Sequence, residues 1–144
     1  YLTALMQPQR FNLHSILPDD PIELTLPNKT VWTPHNYDKQ QHGPQPLSMA
    51  LANSYNLPTI NLGLQVGAQN VLDTWHLAGY SGEALALPSM FLGAVDIAPV
   101  DIAQMYATLA ANGYQSPLSA IREVQTKEGQ PLSRSPFKVK QTLP

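Results

Sequence analysis

A serine and an asparagine two residues apart lie where two helical segments meet. Ser54-Tyr55-Asn56 follows a segment with helical apolar spacing, and Pro58 disfavours helix at Leu57 but suits the first turn of a new helix. Residues two apart on a helix point about 200° away from each other, whereas an extended connection lets Ser54 and Asn56 face one cleft. There a hydroxyl and a carboxamide could pass a proton and hold a peptide group. The alternative is structural, with either residue capping the second helix, and the spacing alone leaves both interpretations open.

Two other groups of polar residues have the side chains of a metal site or a catalytic pair, but their positions in the sequence do not favour either function. His35, Asp38 and His42 lie in a polar loop with irregular spacing, which does not preset a coordination geometry. Ser135-Pro136-Phe137-Lys138 places a serine and a lysine three residues apart, but Pro136 is unsuited to the helix that would bring the two side chains together. We therefore expect no metal site, no cofactor and no catalytic role for Ser135.

Composition excludes several classes of function. The 144 residues carry 8 Lys+Arg against 10 Asp+Glu, a net charge of −2, which gives no electrostatic footprint for nucleic acid. A 33-residue run from Gln40 to Leu72 has no charged residue, yet its prolines and many amides exclude a membrane span. Without cysteine there is no disulfide, thiol nucleophile or zinc-thiolate site. Ser54 and Asn56 lie inside this uncharged run.

The elements around the site predict a helix-rich α+β fold with two β-hairpins. The helices are indicated by the spacing of apolar residues and by Pro, Gly and Asn at their ends. The hairpins are indicated by alternating apolar and polar residues on either side of turn residues. The clearest amphipathic stripe is Ile102, Met105, Tyr106 and Leu109. The predicted helices are 1–6, 47–53, one beginning near Pro58, one ending at Gly79 and one from Pro99 to Asn112; the predicted hairpins are 22–33 and 121–133.

Several blocks of sequence, in order along the chain, resemble one protein family. They match the transpeptidase region of bifunctional (class A) penicillin-binding proteins of the 1b type from Gram-negative bacteria, and together they cover nearly the whole chain. The blocks are Tyr1 to Leu5 with Gln7-Pro8, Val31 to Tyr37, Leu47 to Gly63, Pro88 to Ala94, Ala98 to Tyr106, and Ala111 to Val124. The resemblance implies the penicillin-binding transpeptidase and serine β-lactamase-like fold.

The family has three motifs, Ser-x-x-Lys, Ser-x-Asn and Lys-Thr-Gly, of which Ser54-Tyr55-Asn56 matches the second. The resemblance implies that residues 1–144 are an internal part of a transpeptidase domain, with the nucleophilic serine and its lysine upstream of Tyr1 and the Lys-Thr-Gly strand beyond Pro144. It assigns Ser54 to a proton relay and Asn56 to orienting the lysine and binding the substrate carbonyl. Lys127-Glu128-Gly129 is expected to be a hairpin turn instead of the third motif, because Glu replaces the hydroxyl residue.

The implied activity is peptidoglycan crosslinking, in which a serine acyl-enzyme forms at D-Ala-D-Ala stem peptides and β-lactams inhibit. Residues 1–144 alone are expected to be inactive and to make no membrane contact. The parent is expected at the periplasmic face of the inner membrane, membrane-anchored, with cell-wall synthesis proteins as candidate partners. The alternatives are a non-catalytic helical interaction module or a degenerate family member; Tyr55 in the place of aspartate argues against a β-lactamase.

Overall fold

A computed structural model describes residues 1–144 and has the α+β composition that the sequence predicts. Each predicted helix is present, and a short 3-10 helix at Pro88–Leu92 adds to them. None of the helices is both long and apolar enough to span a membrane. The α-helices are α1 Leu2–Leu5, α2 Leu47–Ala52, α3 Asn56–Val66, α4 Ala68–Ala78 and α5 Pro99–Ala110. The strands are β1 Ile16–Leu17, β2 Leu24–Thr25, β3 Val31–Trp32, β4 Gln45–Pro46, β5 Tyr114–Gln115, β6 Glu123–Gln125, β7 Pro131–Arg134 and β8 Lys140–Gln141.

The strands form four separate antiparallel pairs. The two predicted hairpins are confirmed as β2 with β3 and β6 with β7, each closed by the expected turn. Two further pairs, β1 with β4 and β5 with β8, join segments far apart in sequence, with Ile16 opposite Pro46 and Tyr114 opposite Gln141. Because these strands have only two residues, they carry no alternation that a sequence pattern could reveal.

One compact unit comprises residues 1–74 and 84–95. Its core is formed by α1, β1, α2 and α3, and each fully buried Leu contributes on the order of 1.5–3 kcal/mol. Because α2 and α3 both pack on this core, the connection between them is held from both sides. The buried core residues are Ala4, Phe11, Leu17, Leu47, Ala50, Leu62 and Val66.

The second unit comprises residues 75–83 and 96–144 and includes α5. The helix is present as predicted, but the apolar stripe is not its buried face, since Ile102, Tyr106 and Leu109 are exposed. Gln104 and Thr108 are buried instead. The Gln104 carboxamide accepts a hydrogen bond from the Leu118 N–H at 2.8 Å and donates one to the Ser116 carbonyl at 3.1 Å. Residues 116–118 are therefore fixed against the buried polar side of α5.

Candidate active site

The connection between α2 and α3 is a tight turn with one strained residue. Ser54 adopts the left-handed region with φ of +54°, and Tyr55 is extended at φ −71° and ψ 123°, so that α3 begins at Asn56. The Tyr55 N–H donates to the Ala50 carbonyl at 3.0 Å and closes the turn. A left-handed conformation costs a residue with a Cβ about 1–2 kcal/mol. Such strain is concentrated at functional sites, and here it lies in the three residues that separate α2 from α3.

Ser54 and Asn56 line the same cleft, which has a volume of about 230 Å³. The extended Tyr55 places them on one side, as the functional interpretation of the spacing requires. The capping alternative is wrong, because Tyr55 occupies the N-cap position of α3 and no side chain at that position caps the helix. The other residues that line the cleft are Tyr1, Leu51, Thr59, Phe91 and Leu92.

The Asn56 carboxamide is oriented by a single hydrogen bond. Its Nδ2 donates to the His35 carbonyl at 2.8 Å. A carboxamide has two N–H donors and one carbonyl acceptor, so one donor and the Oδ1 acceptor stay available. The half-buried side chain can therefore bind one acceptor and one donor at the same time.

The Ser54 hydroxyl is exposed and makes no hydrogen bond to any residue of the chain. A hydroxyl both donates and accepts, so it can take a proton from one neighbour while giving its own to another. Ser54 thus presents a hydroxyl at the cleft that is free both to donate and to accept a hydrogen bond.

Two hydroxyl groups that line the cleft form a chain of hydrogen bonds to the turn. The Thr59 hydroxyl donates to the Tyr55 carbonyl at 2.6 Å, so the Tyr1 hydroxyl donates to Thr59 Oγ1 at 2.7 Å. Burial raises the pKa of the Tyr1 phenol, and the hydrogen bond to Thr59 opposes this shift. The phenol therefore keeps its proton at neutral pH and donates to Thr59, whose hydroxyl holds the Tyr55 carbonyl between the two site residues.

The N-terminus of α3 is capped from a distant loop. Asn36 Oδ1 accepts a hydrogen bond from the Leu57 N–H at 3.1 Å, and its Nδ2 donates to Asp19 Oδ1 at 2.8 Å. The imidazole of His42 stacks on the Tyr55 ring, with centroids 4.3 Å apart and planes 17° from parallel. Sequence reasoning missed Asp19 and Asn36, since the capping partner lies 21 residues before the helix.

The polar loop that holds His35, Asp38 and His42 does not bring all three together. Asp38 Oδ2 lies 2.9 Å from His42 Nε2, while His35 contacts Asn56 through its carbonyl. The Gln40 backbone N–H lowers the pKa of Asp38, and the nearby His42 adds to this shift. No group of three His, Asp or Glu side chains converges anywhere in the chain.

Ser135 and Lys138 lie in an irregular segment without helix, as Pro136 predicts. The Ser135 hydroxyl donates to the Ile121 carbonyl at 2.9 Å. It lines a separate cavity of about 790 Å³ in the second unit, which is larger than the cleft at Ser54. Lys138 is not among the residues that line this cavity, so the cavity does not bring Ser135 and Lys138 together.

The fold is that of the penicillin-binding transpeptidase class. The family model for the penicillin binding protein transpeptidase domain matches residues 2–142. Penicillin-binding protein 1B of Vibrio cholerae is 42% identical over 99% of the chain, and that of Escherichia coli is 41% identical over 94%. The crystal structure of penicillin-binding protein 1A from Haemophilus influenzae superposes with a TM-score of 0.84 at 26% identity, covering 96% of this chain and 21% of that chain.

The chain belongs to the penicillin-binding protein transpeptidase domain family. The resemblance to 1b-type proteins of Gram-negative bacteria is confirmed by the two 1B relatives. The chain covers 18% and 16% of these curated relatives, and so spans less than a fifth of their length.

Proposed function

We propose that residues 1–144 are the internal part of a serine D,D-transpeptidase domain that crosslinks peptidoglycan, in which Ser54 and Asn56 form one wall of the active site. The observation that carries the proposal is the shared cleft, where Ser54 has a free hydroxyl and Asn56 keeps one free donor and one free acceptor. Membership of the transpeptidase family supports the reaction type.

The proposed reaction uses a serine and a lysine that lie outside residues 1–144. The serine oxygen bonds to the carbonyl carbon of the penultimate D-Ala, and the C–N bond to the terminal D-Ala breaks as its nitrogen takes a proton. An amine of a second stem then attacks the ester, loses a proton and forms the crosslink, and the serine regains its hydrogen. A serine needs such an adjacent base because its hydroxyl is a weak nucleophile at its free pKa.

Ser54 and Asn56 each have a part in this reaction that fits their free hydrogen-bonding groups. The Ser54 hydroxyl passes the proton between the lysine and the leaving nitrogen, which a group with no other partner can do. The free Nδ2 hydrogen of Asn56 donates to the substrate carbonyl, and Oδ1 accepts from the lysine ammonium. Both roles are compatible with the existing bond from Nδ2 to His35.

The same proposal gives the substrates and the location of the parent protein. The ligands are peptidoglycan stem peptides and β-lactams, which acylate the serine, and cell-wall synthesis proteins are the candidate protein partners. The domain then works at the periplasmic face of the inner membrane in a membrane-anchored parent. The competing function is a non-catalytic interaction module, for which the exposed apolar face of α5 is the supporting observation.

Labelled penicillin tests the proposal in the complete transpeptidase domain. Ser54→Ala should lower the acylation rate by about 10²- to 10⁴-fold, the usual contribution of a proton-transfer group, without loss of folded structure. Ser48→Ala is the matched control, since Ser48 lies on α2 outside the cleft. The Ser48→Ala domain should be acylated at the wild-type rate. Normal acylation of Ser54→Ala would remove Ser54 from the mechanism.

Residues 1–144 alone should form no adduct with the same penicillin in intact-mass spectrometry, because a catalytic unit loses most of its activity without its nucleophile. A stoichiometric adduct would overturn this part of the proposal and direct attention to Ser135.

A further inference from the structure

The start of α3 is held by two consecutive residues of the loop between β3 and β4. The His35 carbonyl accepts from Asn56 Nδ2 at 2.8 Å, and Asn36 Oδ1 accepts from the Leu57 N–H at 3.1 Å. Residues 35–36 thus hold residues 56–57 at two points, which we call the clasp. A shift of the loop would move both contacts together.

The clasp depends on a buried carboxylate. Asp19 is 2% exposed and Asn36 is 3% exposed. Asp19 Oδ1 accepts from Asn36 Nδ2 at 2.8 Å, and Asp19 Oδ2 accepts from the His42 backbone N–H. The second Nδ2 hydrogen of Asn36 goes to the Gln40 carbonyl at 2.9 Å, so both donors of this carboxamide are used.

These bonds allow only one orientation of the Asn36 amide. A flipped amide would place Oδ1 against the Asp19 carboxylate and an N–H₂ group against the Leu57 N–H. Leaving buried polar groups without partners costs about 1–3 kcal/mol each, so the flipped state is not significantly populated. Asp19 therefore fixes Asn36, and Asn36 fixes the part of the loop whose carbonyl orients Asn56.

We propose that Asp19 and Asn36 are positioning residues that set the orientation of the Asn56 carboxamide for acylation. The inference rests on the proposed function, because it assigns Asn56 the role of binding substrate and lysine. Neither residue lines the cleft, so both act only through the clasp.

The test measures labelled-penicillin acylation in the complete transpeptidase domain. Asn36→Asp keeps the acceptor for the Leu57 N–H but places a second carboxylate against Asp19. Asp19→Asn places an N–H₂ group against one of the two donors that Asp19 now accepts from, Asn36 Nδ2 or the His42 N–H. Each should lower the acylation rate between about tenfold and 100-fold, the loss that a misplacement of about 1 Å causes. The double exchange, with Asn at 19 and Asp at 36, restores one N–H to carboxylate bond and should recover part of the rate.

A double-mutant comparison with Asn56→Ala separates positioning from general damage. If Asn36 acts through Asn56, Asn36→Asp should cause little further loss once Asn56 is alanine, because contacting residues of one network are not additive. A full further loss in the Asn56→Ala background would overturn the proposal.

Gln104→Glu is the matched control for a buried carboxamide. Gln104 also makes side-chain hydrogen bonds inside the fold, but none of its partners lines the Ser54 cleft. The Gln104→Glu variant should have a lower thermal stability than the wild type, and below its melting temperature it should be acylated at the wild-type rate. An equal loss of acylation in Gln104→Glu would show that any buried amide gives the effect, against the proposal.

The outcomes distinguish this inference from the proposed function. A wild-type domain that is not acylated would refute the function itself, whereas wild-type acylation with normal rates in folded Asp19 and Asn36 variants would refute only the positioning role. Asp19→Ser serves where the other variants melt below the assay temperature, since it leaves the Gln40 and Leu57 bonds of Asn36 in place. It should lower acylation about tenfold, and an unchanged rate would count against the clasp.

Discussion

Replacing Ser54 by glycine should stabilise the fold while it abolishes the proposed chemistry. Ser54 has φ of +54°, a region that costs a residue with a Cβ about 1–2 kcal/mol and glycine almost nothing. The larger loss of backbone entropy that glycine undergoes on folding offsets about 0.5–1 kcal/mol of this gain. The Ser54 hydroxyl makes no hydrogen bond within the chain, so its removal leaves no partner unsatisfied. We expect a net gain of about 0.5–1 kcal/mol in the free energy of unfolding.

Urea denaturation of Ser54→Gly and Ser54→Ala, compared with the wild type, measures this gain. Both variants lose the hydroxyl, but alanine keeps the Cβ and its strain, so the difference between them isolates the backbone term. Ser54→Ala should lie within about 0.5 kcal/mol of the wild type, as surface substitutions do. Both should lose acylation to a similar extent in the complete domain. If Ser54→Gly were no more stable than Ser54→Ala, the claim that the turn stores strain would be refuted.

Two further substitutions test the surroundings of the cleft. A Cβ at Gly63 would lie about 2.4–2.6 Å from ring atoms of Phe91, so Gly63→Ala should displace that ring and lower the free energy of unfolding by about 1–3 kcal/mol, measured by urea denaturation; an unchanged midpoint would show that the ring moves freely. The pKa of Asp38 is lowered from 3.8 mainly by the Gln40 N–H, so its carboxylate stabilises the fold above that value and the contribution is lost as the pH falls through the folded-state pKa. The stability difference between the wild type and Asp38→Asn should therefore shrink as the pH falls from 3.8 through the folded-state pKa, and a difference that grew over that range would contradict the sign.

Local patterns predicted the elements well because each helix and hairpin carries its own start and stop residues. Gly79, for example, has φ of +113° directly after α4, as expected for a helix C-terminus. The pairs β1 with β4 and β5 with β8 were not predictable, since residues such as Ile16 and Pro46 meet only in the folded chain. The buried face of α5 was not predictable from its apolar stripe either, because the hydrogen bonds of the buried Gln104 go to Ser116 and Leu118, outside the helix.

At the site, the spacing of Ser54 and Asn56 about a helix break allowed a shared cleft, and the family resemblance was needed to favour it. The same spacing suggested a capping role, which the structure assigns to Asn36 instead. The residues that orient the turn are far apart in sequence: Asp19 lies 17 residues before Asn36, and Asn36 lies 21 residues before Leu57. No local pattern reports such contacts, because each step is a single side-chain hydrogen bond between segments that meet only after folding.

The absence of charge from Gln40 to Leu72 has a consequence for how this wall of the cleft can work. Neutral hydroxyls and amides orient hydrogen bonds without a charge that would shift the pKa of a neighbouring lysine. Asp19 is the one formal charge in the network behind Asn56, and its oxygens are occupied by Asn36 and His42. Its negative charge is therefore used for orientation and is kept out of the cleft. If the proposed function is correct, this wall positions the substrate and the proton path, while residues outside 1–144 supply the base and the nucleophile.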